Sequence, residues 1–186
     1  FLRDTAEMLD NVLQYFILHA PTAIERAKFS AMRERSIGIG ALGWHAYLQK
    51  TNTPWESALA VGRNRQIFKH IREGLDRANK ELGLERGEAP DAVGTGNRFS
   101  HLMAIAPNAS SSILMGNTSP SIEPYRANAY RQDTLSGSSL NKNKWLDKII
   151  KEKCDADSKM DYNEIWSSII ANDGSVQHLE FLDDWT

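Results

Sequence analysis

The sequence predicts an α/β fold in which helices predominate. Amphipathic helical periodicity recurs along the chain and alternates with short apolar runs that are typical of buried strands. The clearest strand candidate is Leu102–Ala106, where five apolar residues follow one another without a polar interruption and end at Pro107. A chain of 186 residues is long enough to bury a core, and it contains no internal repeat. Strands interleaved with helices are therefore expected.

The residues before Gly83 are predicted to be mainly helical. Apolar residues recur at helical spacing from the N-terminus, and Ala20-Pro21 ends the first helix because the residue before a proline disfavours helical backbone. The predicted helices are Asp4–His19, Thr22 to about Met32, Trp44–Lys50 and a long helix opened by Thr53-Pro54, with a turn or short strand at Ser36–Gly43. The predicted buried face of the long helix comprises Leu59, Ile67, Phe68, Ile71, Leu75, Ala78 and Leu82.

The second half is predicted to alternate between loops and helices. Gly83–Gly96 contains four glycines and a proline and is expected to be a loop. An extended segment is predicted from Tyr125 to Thr134, followed by a Ser/Gly turn. Two further helices are expected at Ser139–Lys153 and Asp161–Ala171.

The segment after the predicted strand has the features of a phosphate-binding helix N-terminus. Pro107 ends the strand, Asn108 offers an N-cap, and small residues at 109–112 form the first helical turn before apolar packing resumes at Ile113–Met115. The first N–H groups of a helix have no intrahelical acceptor, and small side chains leave them open to an anion. The alternative is an ordinary strand-turn-helix in which the serines only cap the helix. The residue types alone leave both interpretations open.

Simple energetics show that such a site needs no lysine. The helix dipole favours an anion at this end by about 0.3–1 kcal/mol. Each charge-assisted hydrogen bond adds about 1.5–3 kcal/mol. Three or four donors from backbone N–H groups and serine hydroxyls would therefore hold a diphosphate.

Several motifs occur in an order that carries a family resemblance. The run Asn97–Pro124 resembles the segment of the large, catalytic subunit of ribonucleotide reductases that carries the substrate-phosphate loop, in the version found in aerobic class I enzymes of bacteria and phages. The further matching motifs are Arg35-Ser36-Ile37-Gly38-Ile39-Gly40, Tyr47-Leu48-Gln49-Lys50, Ala127-Asn128-Ala129-Tyr130, Leu135-Ser136-Gly137-Ser138, Asn141-Lys142-Asn143-Lys144-Trp145-Leu146, Glu164-Ile165-Trp166 and Gly174-Ser175-Val176-Gln177-His178-Leu179.

The resemblance implies a fold, an activity and a substrate site. The fold is the ten-stranded α/β barrel of ribonucleotide reductases, of which residues 1–186 would form a single partial domain in the C-terminal half. The complete enzyme reduces ribonucleoside diphosphates to deoxyribonucleotides by radical chemistry for DNA synthesis. The implied substrate-binding residues are Pro107, Asn108, Ala109, Ser110, Ser111 and Ser112, with Pro107 as a wall of the pocket and the others holding the diphosphate.

The resemblance also implies that no catalytic residue lies in this chain. The family needs a radical cysteine, a redox-active cysteine pair and a tyrosine pair, whereas this chain has one cysteine, Cys154, in a charged segment. The chain alone is therefore expected to be inactive and to bind no cofactor, as part of a longer subunit. Its missing initiator Met and its uncapped end at Trp185-Thr186 agree with a fragment. The implied partners are the remainder of the large subunit, a second large subunit, a small subunit with a radical-generating metal centre, and thioredoxin or glutaredoxin, with nucleotide effectors bound elsewhere.

Composition favours a cytoplasmic globular protein. The net charge of −2 gives no drive toward nucleic acid or acidic membranes, and a single cysteine excludes a disulfide framework. No apolar run approaches the 18 residues of a membrane-spanning helix.

No pair of histidines has metal-ligand spacing, so no metal site is predicted. His101 and Glu123 are weaker site candidates, for which structural roles are favoured: a satisfied histidine, and a carboxylate that is expected to be buried and to fix a turn.

The sequence leaves three alternative functions. A cobalamin-dependent ribonucleotide reductase shares the barrel and a similar loop. A dehydrogenase would use Gly38-x-Gly40-x-x-Gly43 to bind NAD, but residues 31–36 are too charged for the preceding strand, and no acidic residue follows at the required distance. Tight helix packing is therefore the preferred role of these glycines. A third possibility is a non-catalytic module that completes a partner chain.

Overall fold

The computed structural model describes residues 1–135 and 137–182. In this part of the chain there are seven α-helices and one antiparallel β-hairpin. Ser136 of the Leu135–Ser138 motif and the C-terminal Trp185-Thr186 lie outside the described residues. The elements are α1 (Leu2–His19), α2 (Glu25–Glu34), α3 (Trp44–Lys50), α4 (Ala58–Arg86), α5 (Ala109–Leu114), β1 (Ala129–Thr134), β2 (Gly137–Lys142), α6 (Lys144–Ala156) and α7 (Tyr162–Ala171).

The chain folds as two compact units. The first unit combines Phe1–Ala41 with Val61–Pro107, and the second combines Leu42–Ala60 with the described residues from Asn108 onward. Among the described helices, none has the length and apolar character needed to cross a membrane.

The core of the first unit lies between α1, α4 and two extended segments. Its buried members are Ala6, Ile37, Leu75, Ala78, Leu82, Phe99 and Leu102. The predicted buried face of α4 is confirmed at Leu75, Ala78 and Leu82, but it is wrong at Leu59, which is 55% exposed. Helical periodicity identifies one face of a helix, and it does not tell how far along the helix that face is covered.

The predicted strand at Leu102–Ala106 is only partly confirmed. Met103 forms a parallel bridge with Ile39, and the Ile39 N–H donates to the Leu102 carbonyl oxygen at 2.9 Å. Leu102 is buried, whereas 104–106 are exposed, so the prediction of five buried residues is wrong. Ile37 and Ile39 pair with one edge of this segment. Residues 104–106, which a further strand would cover in a wider sheet, are therefore exposed in this chain.

The glycines of the Gly38–Gly43 motif serve close packing. A Cβ on Gly38 would lie 2.9 Å from the Ala104 Cβ, and one on Gly40 would collide with the Ala104 carbonyl oxygen. The preference for a packing role is thus confirmed, but the partner is an extended segment and not a helix.

The long helix α4 continues beyond its predicted end. The expected loop begins at Gly83, but α4 extends to Arg86. A Cβ on Gly83 would collide with the Gly96 carbonyl oxygen. This glycine therefore permits close backbone contact inside a helix and does not end one.

The core of the second unit is built by the hairpin and the last two helices. Its buried members are Ala129, Leu146, Ile150, Ile165, Trp166 and Ile169. The hairpin pairs Ala129 with Lys142 at its open end and Thr134 with Gly137 at its turn. The prediction of helix from Ser139 is wrong, because Ser139 lies in β2. The helix α6 begins at Lys144, after Asn143 caps it by accepting the Trp145 N–H at 3.1 Å.

Candidate functional site

The helix α5 begins where the sequence predicts, directly after Asn108. The Ser112 N–H donates to the Asn108 carbonyl oxygen at 2.9 Å, which closes the first turn. The predicted side-chain cap is wrong, because the Asn108 side chain accepts no capping hydrogen bond. The N–H groups of Ala109, Ser110 and Ser111 therefore have neither an intrahelical acceptor nor this cap.

The six predicted site residues differ in exposure, and Asn108 is half-buried. Pro107, Ala109, Ser110 and Ser111 are exposed. Ser112 is buried, and its Oγ donates to the Ala109 carbonyl oxygen at 2.7 Å. Both donors of Ser112 are thus used within the helix. Three backbone N–H groups and the hydroxyls of Ser110 and Ser111 form the open end of α5.

The opposite end of α5 is exposed where apolar packing was expected. Ile113, Leu114 and Met115 are 43%, 85% and 68% exposed, so that prediction is wrong for this chain. The helix ends in a turn in which Gly116 and Asn117 both have positive φ. The Asn117 N–H donates to the Ile113 carbonyl oxygen at 3.3 Å, which completes the turn.

The segment after α5 is fixed to the first turn of α3 by the buried residue Ser119. The Gly43 N–H donates to the Ser119 carbonyl oxygen at 2.9 Å, and the Ala46 N–H donates to the Ser119 Oγ at 3.1 Å. Gly43 has φ +84°, which favours glycine at this position. Sequence reasoning missed this contact, although the glycine motif marks one of its ends.

A histidine that carries no sequence motif lies beside this segment. His45 Nδ1 accepts the Tyr125 N–H at 3.0 Å, and the His45 ring contacts the rings of Trp55 and Tyr125 with centroid separations of 5.5 and 5.4 Å. Burial lowers the pKa of His45 and raises the pKa of Tyr125. His45 is therefore held neutral in a largely aromatic environment.

The first unit contains a buried charge cluster that sequence reasoning also missed. Arg35 contacts Asp10 Oδ1 at 2.6 Å, Arg86 contacts Oδ2 at 2.9 Å, and Arg98 contacts both oxygens at 3.1 and 3.2 Å. Burial favours the neutral form of Asp10, but the hydrogen bonds from the three arginines outweigh it and hold its pKa below the ordinary value. The partners are 25, 76 and 88 residues from Asp10, so no local pattern indicates the cluster.

The weaker candidates have structural or exposed positions. His101 Nδ1 lies 3.1 Å from the hydroxyls of Ser36 and Ser100, which agrees with the favoured structural role. Glu123 is exposed, so its interpretation as a buried carboxylate is wrong. Cys154 is a half-buried free thiol at the margin of the second core. In the described part of the chain, no group of three His, Cys, Asp or Glu residues is placed to hold a metal.

Comparisons with known proteins agree on one family. The family model described as the ribonucleotide reductase barrel domain matches residues 2–93 and 89–186. The ribonucleoside-diphosphate reductase large subunit of Invertebrate iridescent virus 3 is 57% identical over 98% of this chain and 29% of its own length. That of Invertebrate iridescent virus 6 is 54% identical over 96% of this chain and 18% of its own length.

A solved structure gives the same result. The class Id ribonucleotide reductase alpha subunit of Actinobacillus ureae matches with a TM-score of 0.86 and 40% identity, over 99% of this chain and 33% of that protein. The predicted fold class, a helix-rich part of an α/β barrel, is thereby confirmed. The chain spans a third or less of the length of these three proteins.

Proposed function

Because the chain belongs to the ribonucleotide reductase barrel-domain family, we propose that it forms part of the large, catalytic subunit of a class I ribonucleoside-diphosphate reductase. That enzyme converts ribonucleoside diphosphates to deoxyribonucleotides by radical chemistry in the cytoplasm. Residues 1–186 contribute one partial domain of the barrel. The high identity to viral large subunits and the likeness to a class I alpha subunit support this proposal over a cobalamin-dependent reductase.

Within that enzyme, we propose that the open end of α5 binds the substrate diphosphate. Pro107 walls the pocket, and the segment Asn108–Ser112 holds the phosphates through residues 109–111, because both donors of Ser112 are bonded within the helix. The observation that carries the proposal is the set of first-turn N–H groups at 109–111, which the Asn108 side chain does not cap and which belong to small, exposed residues. Each bond to a phosphate oxygen contributes about 1.5–3 kcal/mol. The hydroxyls of Ser110 and Ser111 are the side-chain donors that remain available, since Ser112 bonds within the helix.

The bond-breaking chemistry is assigned to the rest of the enzyme. Cys154 is the single cysteine of the chain, and one thiol cannot supply both a radical and two reducing equivalents. The proposed partners are the remaining large subunit, a second large subunit, a metal-containing small subunit that generates the radical, and thioredoxin or glutaredoxin as reductant. Nucleotide effectors bind elsewhere, and the chain itself binds no cofactor.

The NAD-binding alternative lacks support. In a dinucleotide site the glycines give the pyrophosphate close access to the backbone. Here Ala104 fills the space beside Gly38 and Gly40. Close contact between two extended segments accounts for Gly38 and Gly40, and a positive φ accounts for Gly43.

The proposal is tested by placing a negative charge at the open end of α5. In the complete large subunit assayed with its small subunit, Ser111→Asp is expected to raise the KM for the nucleoside diphosphate at least tenfold, which is about 1.4 kcal/mol. Folding should survive, because a carboxylate in a first helical turn is favourable. Ser111→Ala is the matched control and should change KM less, since the backbone donors remain. An unchanged KM for a well-folded Ser111→Asp enzyme would place the phosphates elsewhere.

A further inference from the structure

The orientation of α5 depends on the segment that follows it. The Thr118 N–H donates to the Ser112 carbonyl oxygen at 3.1 Å, and the Tyr125 hydroxyl donates to the Asn117 carbonyl oxygen at 3.1 Å. The Asn117 N–H in turn donates to Ile113 in the last turn of α5. The Tyr125 side chain is therefore joined to α5 through its hydrogen bond to the main chain of Asn117.

The other end of Tyr125 is fixed by His45. The Tyr125 N–H donates to His45 Nδ1 at 3.0 Å. A backbone N–H only donates, so Nδ1 carries no proton and the ring is the neutral tautomer protonated on Nε2. Protonation of Nδ1 would bring two N–H groups together and abolish the contact. A neutral acceptor at position 45 is thus required for this geometry.

We propose that His45 is a positioning residue for the substrate-phosphate site, because its neutral ring holds Tyr125 and thereby fixes the orientation of α5. This inference rests on the proposed function of α5. It adds a residue that touches no substrate and acts through Tyr125 and Asn117. A phosphate site made of main-chain donors depends strongly on orientation, since a displacement of about 1 Å can cost about a hundredfold in rate.

The proposal implies a defined pH dependence. Burial lowers the pKa of His45, so the ring is neutral near neutral pH and becomes protonated as the pH falls through that lowered value. The titratable group that faces the ring is Tyr125, and Trp55 contributes an uncharged ring. The charged residues on the adjoining segments are exposed: Lys50 on α3, Glu56 beside Trp55, and Glu123 and Arg126 on either side of Tyr125. The KM for substrate should therefore rise at acidic pH.

Two substitutions test the hydrogen-bond acceptor and the aromatic ring of His45 separately. His45→Asn keeps an acceptor near the position of Nδ1 but cannot titrate, and His45→Phe keeps an aromatic ring but has no acceptor. The measurement is KM and kcat for cytidine diphosphate, with the complete large and small subunits, from about pH 8 to about pH 5.5, where a histidine titrates. The substrate phosphate also titrates in this range, but equally for every variant, so each KM is expressed relative to that of the unmodified enzyme.

The expected results differ for each variant. His45→Phe should show a KM about tenfold higher at pH 8, equivalent to about 1.4 kcal/mol. His45→Asn should have a nearly normal KM at pH 8 and a lower KM than the unmodified enzyme at acidic pH. A role in stability alone would lower the thermal midpoint of both variants and leave these KM ratios unchanged.

The results that would contradict the role of His45 differ from those that would contradict the proposed phosphate site. Unchanged KM values for His45→Phe, in an enzyme whose KM rises with Ser111→Asp, would overturn the role of His45 and leave the phosphate site in place. Insensitivity to Ser111→Asp would overturn the phosphate site and this inference with it. If His45→Phe does not fold, the pH profile of His45→Asn decides, because a profile identical to that of the unmodified enzyme contradicts the proposal.

Discussion

At the scale of single residues, the Asp10 carboxylate organises the first unit. It is 1% exposed and binds Arg35, Arg86 and Arg98, which come from three separate parts of the chain. Glu7 also contacts Arg86, at 2.6 Å, which offsets part of the excess positive charge. Removing one partner from a buried ion pair is costly because it leaves uncompensated charge. The cluster therefore favours one arrangement of α1, α4 and the segment at Arg98.

The Asp10 cluster predicts how stability depends on pH. The pKa of Asp10 is lower in the folded chain than its ordinary value of 3.8, so its contribution to stability is fully present above that value and is lost as the pH falls through the folded pKa. Asp10→Asn should lower the free energy of unfolding by about 3–5 kcal/mol near neutral pH. Urea unfolding at several pH values measures both effects. A variant that is as stable as the unmodified chain would show that the arginines need no carboxylate.

A second prediction at this scale concerns Gly43. Its φ of +84° is unfavourable for other residues, and an added Cβ would lie 2.7 Å from the Thr118 Oγ1. Gly43→Ala should therefore lower the free energy of unfolding by about 1–3 kcal/mol. Gly62→Ala is the matched control, since an added Cβ there meets nothing within 4 Å. That change should stabilise α4 by up to about 1 kcal/mol. Equal effects of the two substitutions would contradict the account.

At the scale of helices and strands, α5 and α7 differ in how their N-termini are capped. Asp161 caps α7 by accepting the N–H groups of Asn163 and Glu164 at 2.7 and 2.9 Å. Asn108 occupies the same position before α5 and caps nothing. The helices α1, α2 and α3 also begin without a side-chain cap, but Phe1, Ile24 and Gly43 have no side-chain acceptor, whereas Asn108 has one and does not use it. The donors of α5 are left open, which agrees with a site that receives an anion.

The cap of α7 provides a prediction for this scale. Asp161→Ala should lower the free energy of unfolding by about 1 kcal/mol, because two N–H groups lose their acceptor. Asp155→Ala, at an exposed position near the end of α6, is the control and should change stability by less than about 0.5 kcal/mol. Thermal melts of the two variants give the comparison. Equal melting temperatures would mean that water replaces the cap without cost.

Local sequence patterns predicted the elements whose cause is local. The helix predicted at Asp4–His19, the helix at Trp44–Lys50 and the start of α5 after Pro107-Asn108 are confirmed, although the first helix begins two residues earlier, at Leu2. Burial at 104–106 and the strand at Ser139 were mispredicted, because both depend on which segments lie alongside. The links of Asp10 to Arg98 and of His45 to Tyr125 join residues 88 and 80 positions apart. Such contacts leave no trace in a local pattern.

At the scale of the whole molecule, the proposed assignment of the radical chemistry to other parts of the enzyme gives a further prediction. The 186-residue chain should produce no deoxyribonucleotide, even with the small subunit and a dithiol reductant, because Cys154 is its only thiol. In the complete enzyme, Cys154→Ser should leave turnover nearly unchanged. Product formation from labelled cytidine diphosphate measures both. Turnover by the chain alone would contradict the assignment of the radical chemistry to other parts of the enzyme.

The open end of α5 is proposed to hold the substrate diphosphate. The most direct test is the structure of the complete large subunit with a bound ribonucleoside diphosphate. Phosphate oxygens are expected within about 3.2 Å of the backbone nitrogens of Ala109, Ser110 and Ser111, with the hydroxyl of Ser110 or Ser111 as a further donor. A diphosphate bound without any hydrogen bond to these residues would contradict the claim.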